Sequence, residues 1–148
     1  MPAQNPDVLG GWRLIRAGVV LLSVGTLSGF LIAIDVSPIM GLAAHLTAVL
    51  DAFMLLTLGI VWPRLTMHLG TSALASNGLI LGASMIFTTM AICAAMGIGG
   101  TVFPIIDSVH VGTHLQELIV KMSATVVSVI TVLGVGAAAL GAVRSSGL

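Results

Sequence analysis

Polar and apolar positions do not alternate along most of this chain; they separate into long blocks. Residues 17–34, 42–62, 73–98 and 118–143 are almost wholly apolar, and only His45, Asp51 and Lys121 interrupt them with ionisable groups. A hydrocarbon core about 30 Å thick takes about 20 residues of helix per crossing, so each block predicts one membrane-spanning helix. With their flanking residues the expected spans are 13–34, 42–62, 73–98 and 115–143, in a single membrane domain covering residues 1–148.

The predicted fold is all-α, a polytopic four-helix antiparallel bundle. The connections 35–41 and 63–72 are short enough to force antiparallel neighbours, while 99–117 forms a longer outer loop. Pro63 ends the second helix, because it lacks an N–H and clashes with the preceding turn. Ser76-Asn77-Gly78 weakens the start of the third, which moves its expected beginning toward Leu79. Gly25 and Gly29 on the first helix, and Gly134, Ala137, Ala138 and Gly141 on the last, form small-residue stripes that allow close helix contact in lipid.

Arg13 and Arg16 precede the first block, Arg64 follows the second and Arg144 follows the fourth. In an even-numbered bundle they share one side, which the positive-inside tendency makes cytoplasmic, with both termini inward. Trp12 and Trp62 fall at the same level and are expected at the wet interface. No small-x-small cleavage pattern follows the first block, so it reads as a retained helix.

Composition strengthens this picture: 57% of residues are hydrophobic and 7% charged, far from a soluble domain. The formal net charge is zero and the five cationic residues are scattered, which excludes a nucleic-acid partner. The single cysteine, Cys93, lies inside the third block and reads as a small packing residue.

An ionisable group in lipid costs several kcal/mol unless it faces a partner, so each one marks a functional candidate. His45, Asp51, His114, Glu117 and Lys121 all fall in the outer half of the predicted bundle. His114, Glu117 and Lys121 share one helix face, and their simplest reading is a Glu117–Lys121 ion pair that lets Lys121 snorkel outward. His45 and Asp51 are about 120° apart around one helix, so they address different neighbours. A ligand held between subunits, by His45 of one chain and Asp51 of the next, accounts for that geometry and implies a homo-oligomer.

Thr47, one turn before Asp51, is placed to hydrogen-bond it. Ser84, Thr88 and Thr89 on the third helix are expected to satisfy backbone carbonyls. His68 reads as a solvated loop residue, and the His110/His114 pair lacks the carboxylate that a zinc spacing would add. A faint repeat relates Pro38-Ile39-Met40 before His45-Leu46 to Pro104-Ile105-Ile106 before His114-Leu115.

The stretch Gly41-Leu42-Ala43-Ala44-His45-Leu46, continuing to Asp51 and to Trp62-Pro63, resembles the second helix of the hydroxylaminobenzene mutases and the related styrene oxide isomerases. The Gly99-Gly100-Thr101-Val102-Phe103-Pro104 loop before Gln116-Glu117 is also similar, and the resemblance covers nearly the whole chain. It implies a small bacterial inner-membrane isomerase, a homotrimer with heme b at its subunit interfaces and His45 as the axial ligand of the iron. It further implies ferric heme acting as a Lewis acid on the oxygen of a small aromatic substrate, with no net redox change.

In the mutases an arylhydroxylamine becomes a 2-aminophenol, and in the isomerases an epoxide becomes an aldehyde. The Gly-Leu-Ala-Ala-His run reads closest to the mutases. This chain departs from the isomerases at two points: Asp51 stands where they have asparagine, and no tyrosine replaces the one on their third helix. The resemblance therefore gives Asp51 a substrate-orienting role and leaves Thr88 or Thr89 to stand for the tyrosine. Thr47, His114, Glu117 and Lys121 remain as supporting residues.

Two other classes compete. A heme electron-transfer subunit would use His45 and His114 together and leave no open iron position. A small exporter would depend on a membrane-embedded carboxylate, for which Asp51 is the sole candidate.

Overall fold

The computed structural model describes residues 6–65 and 69–145, and these contain helices, turns and loops but no strand. The helices are α1 (Pro6–Ser28), α2 (Pro38–Val61), α3 (Leu69–Met96) and α4 (His114–Ser145), with 3-10 turns at Ile32–Ile34 and Trp62–Arg64. Three helical stretches, Pro38–Arg64, Gly70–Met96 and His114–Arg144, are long and apolar enough to cross a membrane. Their outward faces carry Leu50, Ile60, Leu74, Val132 and Leu133, the side chains a lipid-facing surface requires. His68 lies outside the described residues.

Helix boundaries follow local chemistry that the hydropathy blocks do not register. α1 leaves the helical path after Ser28 rather than continuing to Ile34: the N–H groups of Gly29 and Phe30 turn back to Thr26 O and Leu27 O, at 3.2 and 3.1 Å. α2 begins at Pro38, ahead of the expected residue 42. Ser37 caps it by accepting from Met40 N at 3.3 Å, and proline is well suited to the first helical position, where no N–H is needed.

α3 runs unbroken through Ser76-Asn77-Gly78, correcting the expected start near Leu79. Ser76 is fully buried and donates its hydroxyl to Ala73 O at 3.2 Å, and Leu79 beside it is fully buried, so packing overrides the weak local propensity. α4 opens with a capping box: Thr113 Oγ1 accepts from Gln116 N at 3.4 Å, while Gln116 Oε1 accepts from Thr113 N at 2.8 Å.

α1 and α2 pack most closely. A Cβ at Gly11 would lie 2.7 Å from Gly59 O, one at Gly18 3.0 Å from Ala52 O, and one at Gly25 2.7 Å from Ala48 Cβ. These glycines recur every seven residues and meet the buried row Ala44, Ala48, Ala52, Leu55 and Gly59 of α2. Without a hydrophobic drive between helices in lipid, such close backbone approach is what holds a pair together.

Trp62 belongs to this packing and not to the interface. It is fully buried, its Nε1–H donates to Ser72 Oγ at 3.0 Å, and a Cβ at Gly10 would fall 2.7 Å from its Nε1. Trp12, by contrast, is exposed.

α3 lies against α1, α2 and α4, whereas α4 packs lengthwise chiefly on α3. Gly134 of α4 sits against Leu79, where a Cβ would approach Leu79 Cγ to 2.9 Å. A groove is left open between α2 and α4, floored by α3.

Candidate active site

His45 is half-buried on the face of α2 that meets the end of α1. Because α1 stops at Ser28, the Gly29 N–H goes to Thr26 O and the Gly25 carbonyl is left without its usual helical donor. Two side chains take it up: Ser28 Oγ donates at 2.7 Å and His45 Nδ1 lies 2.7 Å away. A carbonyl oxygen only accepts, so Nδ1 carries the hydrogen. In the neutral ring that leaves the lone pair on Nε2, the arrangement found in metal-ligating histidines.

Gly29 adjoins the ring; a Cβ there would come within 3.1 Å of His45 Cε1 and Nδ1. Leu42 and Leu46, next to His45 on α2, expose apolar surface. Among the described residues no three His, Cys, Asp or Glu side chains converge as a metal-binding group. One oriented imidazole with apolar surface beside it would suit an apolar prosthetic group that carries its own metal and asks the protein for a single ligand.

Asp51 faces the other way. Six residues further along α2, it is about 9 Å along the axis and about 120° around it from His45. It lines the groove between α2 and α4, a cavity of about 340 Å³ whose walls include Met54, Ile86, Val127 and Thr131. Its carboxyl is half-buried and has no hydrogen-bond or ion-pair partner among the described residues. Thr47 lines the same groove, but its hydroxyl is directed to Met90 Sδ at 3.6 Å and not to Asp51, which corrects the expected contact.

Thr88 is exposed in a second groove of about 450 Å³ between α1 and α3, with Arg16 at one end and Phe87 in its wall. Its hydroxyl donates to Ser84 O at 2.7 Å, as expected of a threonine in a membrane helix. Thr89 is half-buried on the adjoining face. One chain therefore does not bring His45, Asp51 and Thr88 into one pocket.

Glu117 is not paired with Lys121. It is buried, and its carboxylate accepts from Gly99 N at 2.7 Å, Gly112 N at 2.8 Å, Thr101 N at 3.2 Å and the Thr101 hydroxyl. It ties down both ends of the loop between α3 and α4, where Gly97 and Gly99 take φ values of 63° and 95° that other residues rarely adopt. Lys121 and His114 are exposed.

The middle of that loop is held by a residue the hydropathy pattern gave no reason to select. Asp107 is buried and accepts from the Ser37 hydroxyl, from His110 Nδ1 at 2.7 Å and from the Val109 and His110 backbone N–H groups at 3.1 and 3.3 Å. The Ser37 bond above all, then His110 and the backbone donors, hold its carboxyl down at about 2 against the opposing effect of burial. Ser37 is also the cap of α2, so the loop is fastened to the helix that carries His45. A serine immediately before proline was the available signal for that cap; nothing local marked Asp107.

Comparison with known proteins identifies the family. The sequence profile of the styrene oxide isomerase family matches residues 12–143. Hydroxylaminobenzene mutase HabB of Ectopseudomonas oleovorans is 33% identical over 134 residues, covering 90% of this chain and 81% of that protein. Hydroxylaminobenzene mutase HabA of the same organism is 29% identical over 107 residues, covering 72% of this chain and 79% of the relative. No solved structure matches the chain significantly. The protein is thus an isomerase built of long apolar helices. It belongs to the styrene oxide isomerase family.

Proposed function

We propose that this protein is a heme b-dependent membrane isomerase that converts arylhydroxylamines to 2-aminophenols. The observation that carries the proposal is His45, whose Nδ1–H is engaged by Gly25 O so that Nε2 is left as a ligand. When bound, ferric heme would supply a Lewis-acidic iron that polarises the substrate oxygen. In the reaction the N–O bond breaks and a C–O bond forms at the adjacent ring carbon. That carbon loses a proton and nitrogen takes one up, so the product is an isomer and no electrons are consumed.

The chain's own residues divide the work. His45 would hold the iron through Nε2, and the Gly25 carbonyl fixes the tautomer and ring plane of the imidazole. Asp51 offers carboxylate oxygens to an N–H or O–H of the substrate, inside a groove whose apolar walls receive the aromatic ring. Because His45 and Asp51 face different neighbours, we assign the complete site to the contact between subunits of a homotrimer. Each subunit then crosses the bacterial inner membrane four times with both termini inside, α1 supplying the shortest crossing. An apolar substrate reaches the open α2–α4 groove from the lipid.

Asp51 also bears on the choice of substrate. A hydroxylamine presents N–H and O–H donors to an otherwise unpartnered carboxylate, whereas an epoxide presents only an acceptor oxygen. Both named relatives are mutases, which supports the same branch. The bis-histidine alternative gains no support, since His114 begins α4 as an exposed residue and α4 has no substantial interface with α1. Incubation of the purified protein with phenylhydroxylamine and, separately, with styrene oxide is the test. Formation of 2-aminophenol is expected; turnover of the epoxide alone would move the protein to the other branch.

A further inference from the structure

We infer that Thr131 is the second polar anchor of the Asp51 groove and selects for substrates that carry a heteroatom able to bond both residues at once. The inference rests on the substrate reading above and extends it to a residue of α4 that the sequence did not single out.

Hydroxyl side chains in membrane helices ordinarily spend their hydrogen on a carbonyl one turn back. Among the described side chains, α4 follows this habit with one exception. Ser123 Oγ donates to Val120 O at 2.9 Å, Thr125 Oγ1 to Lys121 O at 2.8 Å and Ser128 Oγ to Ala124 O at 2.8 Å. Thr131 is half-buried and its hydroxyl has no hydrogen-bond partner among the described residues. A polar group withdrawn from solvent without a partner is costly, and more so where the surrounding medium is lipid.

The position of that hydroxyl is built rather than left over. Gly82 of α3 faces it, and a Cβ at Gly82 would collide with Thr131 Oγ1. The missing side chain on α3 thus clears the seat that Oγ1 occupies at the wall of the groove. Across the groove, Asp51 is the other polar side chain without a partner. The rest of the wall is apolar, with Met54, Ile86 and Val127, apart from Thr47 and Ser128, whose hydroxyls are already spent on Met90 Sδ and Ala124 O.

Two unsatisfied groups of complementary character in one apolar groove define a ligand chemistry. Asp51 accepts hydrogen bonds, and Thr131 donates one and accepts others. A flat aromatic molecule with neighbouring N–H and O–H groups satisfies both: its donors go to Asp51, and its oxygen accepts from Thr131. Substrate and product both meet that description, because an arylhydroxylamine carries nitrogen and oxygen on one atom pair and a 2-aminophenol carries them on adjacent ring carbons.

The experiment measures binding of 2-aminophenol to the detergent-purified holoprotein by titration calorimetry, alongside KM and kcat for phenylhydroxylamine. Thr131→Val keeps the branched shape and removes only the hydroxyl, and Thr131→Ser keeps the hydroxyl. Gly82→Ala leaves Thr131 in the sequence and displaces its Oγ1. One hydrogen bond lost to an unpaired partner corresponds to about a tenfold change in affinity.

The expected result is about tenfold weaker binding and a raised KM in Thr131→Val and Gly82→Ala, near-native binding in Thr131→Ser, and unchanged affinity of all forms for ethylbenzene, which has no heteroatom. Native affinity for 2-aminophenol in both Thr131→Val and Gly82→Ala would overturn the inference. So would equal loss of ethylbenzene binding, which would mark Thr131 as a packing residue. Failure of the substrate reading is separately visible, because the wild-type protein would then neither turn over phenylhydroxylamine nor bind 2-aminophenol, and the inference would fall with it.

Discussion

His45 Nδ1 lies 2.7 Å from the carbonyl oxygen of Gly25, on a neighbouring helix twenty residues earlier in the chain. The contact exists because α1 ends at Ser28 and frees that carbonyl. It orients the imidazole that the proposed function depends on, and it makes the end of α1 part of the site.

Gly29 is the residue that lets the ring into place. Gly29→Ala puts a Cβ 3.1 Å from two ring atoms, so the ring or the helix end must shift by a few tenths of an ångström. Overpacking of this kind costs about 1–3 kcal/mol. The expected outcome is a lower heme-to-protein ratio with helical content unchanged, read by absorption and circular dichroism on one preparation; full heme occupancy would argue against a tight seat.

Trp62 anchors α1, α2 and α3 together. Trp62→Ala should destabilise the protein by about 3–5 kcal/mol, and Trp62→Phe by about 1 kcal/mol through loss of the bond to Ser72. Trp12→Ala should be nearly neutral. Thermal unfolding in detergent checks this; equal effects at the two tryptophans would return Trp62 to the interface.

Much of this architecture could be read from the chain, and the limits are instructive. The apolar blocks located α2, α3 and α4 because a membrane span is a composition signal about 20 residues long, which survives errors in local detail. They overran α1, whose helix ends in a hydrogen-bonded turn within an apolar stretch that reads the same in either conformation. The capping pairs Ser37-Pro38 and Thr113-Gln116, which set the starts of α2 and α4, stand in the sequence but are overlooked when boundaries are drawn from hydropathy alone. Trp62 was misplaced because an indole beside arginine and proline looks alike from the sequence whether it faces lipid headgroups or a glycine pair on another helix.

The two loop carboxylates show a different limit. Glu117 and Lys121 have the spacing of an ion pair, yet three backbone N–H groups and a hydroxyl from the preceding loop reach the carboxylate first. Such competition depends on how the loop folds back. The separation of His45 from Asp51, in contrast, was legible, since helix geometry alone turns them to different neighbours.

Glu117→Gln keeps shape and removes charge from an acceptor of four hydrogen bonds. It should loosen loop 97–113 by about 1.5–3 kcal/mol, the range for bonds to a charged group, whereas Lys121→Ala should be close to neutral. Limited proteolysis of the loop checks both. Equal sensitivity of the two variants would restore the ion pair.

Asp107 gives the loop an acid limit. Its carboxyl is held at about 2, below the ordinary 3.8, so it binds protons less readily in the folded protein than in the unfolded chain. The resulting stability is fully present above about pH 4 and is lost as pH falls through about 2. Hydrogen exchange at Met40 and the amides of Val109 and His110 should therefore stay slow down to about pH 4 and accelerate below it. Asp107→Asn should exchange faster at neutral pH and lose this acid step; an acid step that survives in the variant would assign it elsewhere.

The most direct test of the central claim is the absorption spectrum of the detergent-purified protein, ferric and reduced, for the wild type and His45→Ala, with heme supplied during expression. The wild type should carry a heme with an open coordination position and form 2-aminophenol from phenylhydroxylamine, and His45→Ala should lose the heme while keeping its helical content. A wild type that binds no heme, or a His45→Ala variant that retains the same spectrum and turnover, would contradict it.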